Sequence, residues 1–300
     1  RDLMQDILTC AMGLDIHRDV IVACLAKGEL GTDPEIEIRS FSTLIPEMRK
    51  LRDWVLEAEC RYVAMESTGI YWQPIYEMLE PCFDGQISIL VVNARHMKNV
   101  PGRKTDMRDA QWIATLLRAG LLKGSFIPDK TFRELRHLTR YRKSIVRDIT
   151  AQKNRIDKFL QSSGFRFTAF LSDAFGASGR NIIRHLMEYG NISREALDRC
   201  LKTQTRKRID EILIALNGSL SEHQRGFLRM IFGHLEALEQ HRHTVEDAIT
   251  KEITKHEEAL SLLCSIPGID VTAAAAIIAE IGTDMSAFPD SQHICSWAGL

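Results

Sequence analysis

Two stretches of this chain repeat apolar residues at steps of three and four, a spacing that a long helix satisfies and a strand does not. The first carries Phe132, Leu135, Leu138, Tyr141, Ile145, Ile149, Ile156 and Phe159/Leu160, and the second Phe227, Ile231, Leu235, Leu238, Val245, Ile249, Ile253 and Leu260. At 3.6 residues per turn these positions fall on one stripe, which must be covered by another element. The spacing therefore predicts long helices over 132–160 and 227–263, paired antiparallel as a coiled-coil arm. The 65 or so residues between them form an insertion at the tip, about 163–224. Shorter helices are predicted there at 182–189 and 209–216, with 175–179 and Asn217-Gly218 as loops.

Before Pro128 the pattern is different. Residues 12–16 and 20–25 read as strands joined by the polar turn His17-Arg18-Asp19, and 35–41 alternates as a third strand. A helix is predicted at 44–58, entered through Ser42 or Thr43. A strand at 62–65, a helix at 74–79, a buried strand at 87–92 and a helix at 109–119 complete an α/β sheet of the RNase H-like kind. After residue 260, Pro267-Gly268 stands between two helical runs, the second Ala-rich over 271–281. That arrangement is similar to a helix–hairpin–helix, whose loop amides hold a phosphate, with Gly268 the contact here; a plain helical hairpin in a core is the other reading. The fold class is thus α/β plus all-α, with segments 1–128, 129–260 and 261–300.

The acidic residues carry the chemistry. Asp106 and Asp109 stand three apart at the start of the apolar run Ala110, Ile113, Ala114 and Leu117, so a helix projects both from one face of its first turn. Two carboxylates that close repel one another unless a divalent cation lies between them. Asp15 and Glu66 each sit at the end of a strand-like apolar run. Read singly, each acid also suits a helix cap or a turn. The order Asp, Glu, Asp-x-x-Asp on strand, strand and helix favours one shared metal site. Mg²⁺, or Mn²⁺, fits an all-carboxylate set because hard oxygen ligands suit it and it keeps waters in its shell. His17 reads as a turn residue or a phosphate contact, and Tyr71 and Trp72 as core or as base-stacking rings.

A formal net charge of −1 hides an asymmetry: residues 95–166 hold 18 Lys and Arg against 6 Asp and Glu. A net +12 in that segment is the footprint of a polyanion site. Candidate backbone contacts are Lys104, Arg108, Arg133, Arg136, Arg140, Arg142, Lys143, Arg147, Lys153, Arg155 and Lys158. The seven cysteines are scattered without a Cys-x-x-Cys pair, which argues against a zinc site or a disulfide framework and fits a reducing cytoplasm. No apolar run is long enough for a membrane span.

The segments Met12-Gly13-Leu14-Asp15-Ile16-His17, Met65-Glu66-Ser67-Thr68-Gly69-Ile70-Tyr71-Trp72, Val92-Asn93-Ala94-Arg95 and Lys104-Thr105-Asp106-Met107-Arg108-Asp109-Ala110 resemble the RuvC-like domain of bacterial insertion-sequence DEDD transposases. This is the one-ten group, which includes the Piv-type DNA invertases. The resemblance continues through Phe175-Gly176-Ala177-Ser178-Gly179-Arg180, Ile266-Pro267-Gly268-Ile269 and Ala279-Glu280-Ile281-Gly282, covering residues 12 to 300. It implies a DNA transposase or site-specific recombinase with Asp15, Glu66, Asp106 and Asp109 as catalytic metal ligands. It also implies a structured noncoding guide RNA, a dimeric or tetrameric assembly and a small C-terminal transposase domain. A serine nucleophile is expected shortly after Trp297-Ala298-Gly299-Leu300; no serine up to that point matches its motif. Alternatives are a RuvC-like junction nuclease and a non-catalytic nucleic-acid scaffold.

Overall fold

In the computed structural model residues 6–67, 69–93 and 109–299 are described, and the chain forms two compact units, Arg1–Ile127 and Pro128–Leu300. The first is built on a five-stranded sheet in the order β3-β2-β1-β4-β5. β1 (Cys10–Ile16) and β2 (Val20–Lys27) make an antiparallel hairpin closed by the His17 N–H, which donates to the Val20 carbonyl at 2.9 Å. β3 (Glu35–Ser42) extends it antiparallel, while β4 (Tyr62–Glu66) and β5 (Ser88–Val92) run parallel to β1. Side chains alternate across β1. Met12, Leu14 and Ile16 join Val63 and Met65 in a core against α1 (Ile45–Glu57) and α2 (Gln73–Leu79). Ala11 and Ala64 face the other way, against Ile113 and Leu117 of α3 (Asp109–Arg118).

The expected entry into α1 is corrected. Leu44 occupies the cap position without a side-chain bond, because the Thr43 hydroxyl donates to the Arg18 carbonyl at 2.9 Å and ties the helix start to the first turn of the sheet. Pro46 in the first turn, where no amide partner is needed, starts the helix instead.

The second unit is helical among its described residues. Its long members are α4 (Lys130–Ser162) and, after the shorter α5 (Ala177–Tyr189), α6 (Arg194–Cys200), α7 (Thr203–Arg206) and α8 (Ile209–Ala215), α9 (Glu222–Ile253). Tyr141 meets His241, Gln152 meets Ile231 and Phe159 meets Phe227, so partner numbers fall as positions rise and α4 and α9 run antiparallel. α9 opens with a reciprocal capping box between Ser221 and Gln224. α10 (Glu257–Cys264), α11 (Val271–Ile281) and α12 (Ser291–Ala298) follow.

Two expectations are overturned here. The run 227–263 is not one helix, because a 3-10 turn at Thr254–His256 separates α9 from α10. Between Ile253 and Ala259 the stripe has no apolar residue, and the His256 ring packs against Phe132 at a tilt of 37°, centroids 4.7 Å apart. Residues 175–179 are not simply a loop, since α5 begins at Ala177. A Cβ on Gly179 would collide with the Ala174 carbonyl, so this glycine serves close packing. The insertion shares its core with the helical pair: Phe165, Phe167, Leu186, Leu197 and Ile212 pack in one cluster with Leu228, Phe232 and Leu235. Ala275, Ile278 and Ala279 of α11 belong to that same cluster.

Candidate carboxylate site and basic helix

Asp15 alternates with Ala11 and Gly13 on β1, and Glu66 with Ala64 on β4, so both point to the face that α3 covers. The β1–β4 pairing ends at Leu14 and Met65, and Asp15 and Glu66 are the next residue of each strand. Two carboxylates thus stand on adjacent parallel strand ends. Asp15 is mostly buried, its side chain 13% exposed, and its Oδ2 lies 3.3 Å from Nε2 of the exposed His17.

The direction of α3 places the third acid. Its first turn rests on Gly13, beside Asp15, while its last residue, Arg118, bonds to Leu8 at the opposite end of β1. α3 therefore runs antiparallel to β1, and Asp109, its first residue, is exposed at the Asp15 end. Asp106, Lys104 and Arg108 lie outside the described residues. Among the described residues no three His, Cys, Asp or Glu side chains converge closely enough to hold a metal ion. The donor set suits a hard divalent cation in chemistry, and the described residues place Asp15, Glu66 and Asp109 at one end of one sheet face without bringing the three within reach of one ion.

Sequence reading missed two residues of this region, and both carried a signal. Gly13 interrupts a strand pattern, which marks a close backbone approach. Arg118 falls four residues after Ala114, on the apolar stripe of α3, and is 1% exposed. Its guanidinium donates to the carbonyls of Leu8 (3.0 Å), Gly28 (3.2 Å), Glu29 (2.7 Å) and Thr32 (3.4 Å), and pairs with Asp6 at 3.3 Å.

In the second unit the basic residues of α4 are largely engaged. Arg133 is buried and donates to the Pro128 carbonyl. Arg136 donates to the Ala279 and Glu280 carbonyls and pairs with the Glu280 carboxylate at 3.0 Å; burial is the chief influence lowering its pKa. Arg140 grips the same carboxylate through both oxygens, and Arg142 pairs with Glu246 at 2.7 Å. Lys153 faces Glu239 at 3.9 Å, and Arg155 donates to Gln152. Lys143, Arg147 and Lys158 are exposed and make no ion pair or side-chain hydrogen bond among the described residues. Lys143 borders an open groove of about 960 Å³ between α4, α9 and α11, floored by Val146, Ile249, Ile253 and Val271.

Gly268 is exposed between α10 and α11 with φ +90, a left-handed conformation that favours glycine. The Asp270 carboxylate already accepts the Ala273 N–H at 2.7 Å, so an anion at this helix start would meet a resident negative charge.

Residues 12–164 match a family model described as Transposase, of the DEDD IS110 kind. Residues 260–300 match the model of the Transposase IS116/IS110/IS902 family. Among curated proteins none matches the chain.

Proposed function

Because the chain belongs to the DEDD transposases of the IS110 family, a group that cleaves and rejoins DNA, we propose that its α/β unit is a RuvC-like catalytic domain with a metal-dependent carboxylate site. Asp15, Glu66, Asp106 and Asp109 are its ligands in this reading, with Mg²⁺ or Mn²⁺ as the ion. The observation that carries it is the meeting of two strand ends and one helix start: Asp15 and Glu66 finish adjacent parallel strands, and Asp109 opens the helix that crosses them.

A bound divalent ion supplies Lewis acidity toward phosphate oxygens. The remaining work belongs to side chains. The carboxylates hold negative charge at a sheet end, and the His17 ring beside Asp15 provides a donor or acceptor for a phosphate oxygen or for water. In this reading the long helices form a coiled-coil arm through which protomers assemble. Lys143, Arg147 and Lys158 on its first helix are the cations available to a DNA backbone or to a guide RNA.

Titration calorimetry with Mn²⁺ tests the site. The chain should bind the ion, and Asp15→Asn, Glu66→Gln and Asp109→Asn should each abolish or sharply weaken binding while retaining the circular dichroism of the parent. A parent chain with no measurable Mn²⁺ affinity would overturn the reading.

A further inference from the structure

We infer that Gly13 and Arg118 are positioning residues for the carboxylate site, fixing where α3 delivers Asp109 at the end of β1. The inference rests on Asp15, Glu66 and Asp109 being ligands, as proposed above. Two observations at opposite ends of one helix carry it.

At the near end the backbone of α3 lies directly on β1. A Cβ built on Gly13 would fall inside contact distance of the Ala110 carbonyl oxygen and the Ala114 amide nitrogen, and 3.0 Å from the Ile113 Cβ. The two closest obstructions are backbone atoms, so no rotamer change relieves them. Any side chain at position 13 must lift the helix or push the strand away. At the far end Arg118 spreads its donors over four carbonyls from two segments, Leu8 before β1 and Gly28, Glu29 and Thr32 after β2, with the Asp6 carboxylate beside it. The Arg118 carbonyl in turn accepts from the Ile7 and Leu8 amides at 2.9 and 3.2 Å.

The near contact sets the height of the helix above the sheet, and the far contact sets its slide and its rotation. A slide of one residue moves a helical side chain about 1.5 Å along the axis and swings it by about 100°. Ligand distances in an oxygen site tolerate only about 0.2 Å. A helix that carries ligands therefore needs both constraints, and neither residue has to touch the ion.

The test uses the whole chain and two readouts, Mn²⁺ affinity by calorimetry and hydrogen–deuterium exchange of the α3 amides. Gly13→Ala and Arg118→Lys should each weaken Mn²⁺ binding about 10- to 100-fold, the range seen when outer partners of metal ligands are removed. Gly13→Ala should speed exchange in residues 110–114 and Arg118→Lys in residues 115–118. Leu51→Ala, in the core on the other face of the sheet, should lower the melting temperature and leave both readouts as in the parent. Should Gly13→Ala fail to fold, Arg118→Lys decides, since it keeps the buried charge and loses only the spread of donors. Unchanged affinity and unchanged exchange in the folded variants would overturn the inference. A parent chain that binds no Mn²⁺ would remove the ligand reading alone, and the exchange pattern would still decide whether these two residues hold α3.

Discussion

Both units tie down arginines, with a different balance of partners: a backbone carbonyl holds the buried Arg133 of the helical unit, but carboxylates answer most of its other arginines. In the α/β unit Arg118 is cradled by four backbone carbonyls with one carboxylate nearby. In the helical unit Arg136, Arg140, Arg142 and Arg180 are answered by the carboxylates of Glu280, Glu246 and Glu239. A guanidinium held by carbonyls organises backbone; one held by a carboxylate is electrically cancelled and organises helices. A count of basic residues measures the charge placed in the chain, whereas the partners decide how much of it reaches solvent.

The largest expected difference is at Arg118. Arg118→Met should destabilise the chain by about 3–5 kcal/mol in urea unfolding, because it strands buried carbonyls and the Asp6 charge. A loss under about 1 kcal/mol, the size of an exposed ion pair, would erase the contrast between the units. Next comes Leu235→Ala, at the fully buried junction of α9 and the insertion, which should cost about 2–5 kcal/mol. A smaller loss would mean that the insertion folds independently of the helical pair.

The pair Arg142–Glu246 is partly exposed. A double-mutant cycle with Arg142→Ala and Glu246→Ala should give a coupling of about 0.2–1 kcal/mol that shrinks with added salt. Coupling above that range would make these bridges structural anchors like Arg118. The smallest effect on stability belongs to the triple change Lys143→Ala, Arg147→Ala and Lys158→Ala, within about 0.5 kcal/mol. Its consequence should be seen in duplex DNA binding, where the slope of log affinity against log salt flattens by about 0.9 for each phosphate contact removed. If Arg136→Ala, Arg140→Ala and Arg142→Ala flatten it as much, the paired arginines are open to DNA after all.

Much of this was legible in the sequence. Strand alternation located β1 to β5 to within a residue or two, and the three-four stagger found α4 over nearly its full length, because both patterns are imposed by burial on one face. The helix start at Asp109 and the strand-end positions of Asp15 and Glu66 followed from the same patterns. What escaped were features made by distant partners. Thr43 abandons a cap for a carbonyl 25 positions away, and beyond Ile253 the His256 ring finds its neighbour in the distant Phe132. The pairing of Arg136 and Arg140 with Glu280 spans 140 positions or more. Local composition gave no sign of it, so the basic segment looked more open than it is.

The order of elements along the chain also has a temporal side. The 59 residues between Ser162 and Glu222 separate the end of α4 from the start of its partner. At a synthesis rate of about 5–20 residues per second, α4 leaves the ribosome roughly 3–12 s before α9 begins to emerge. A 33-residue helix is long enough to form alone, so during that interval Ile145, Ile149 and Ile156 stand uncovered on a finished surface. The first apolar partners to emerge behind α4 are those of the insertion, Phe165, Phe167 and Leu186, which share its cluster.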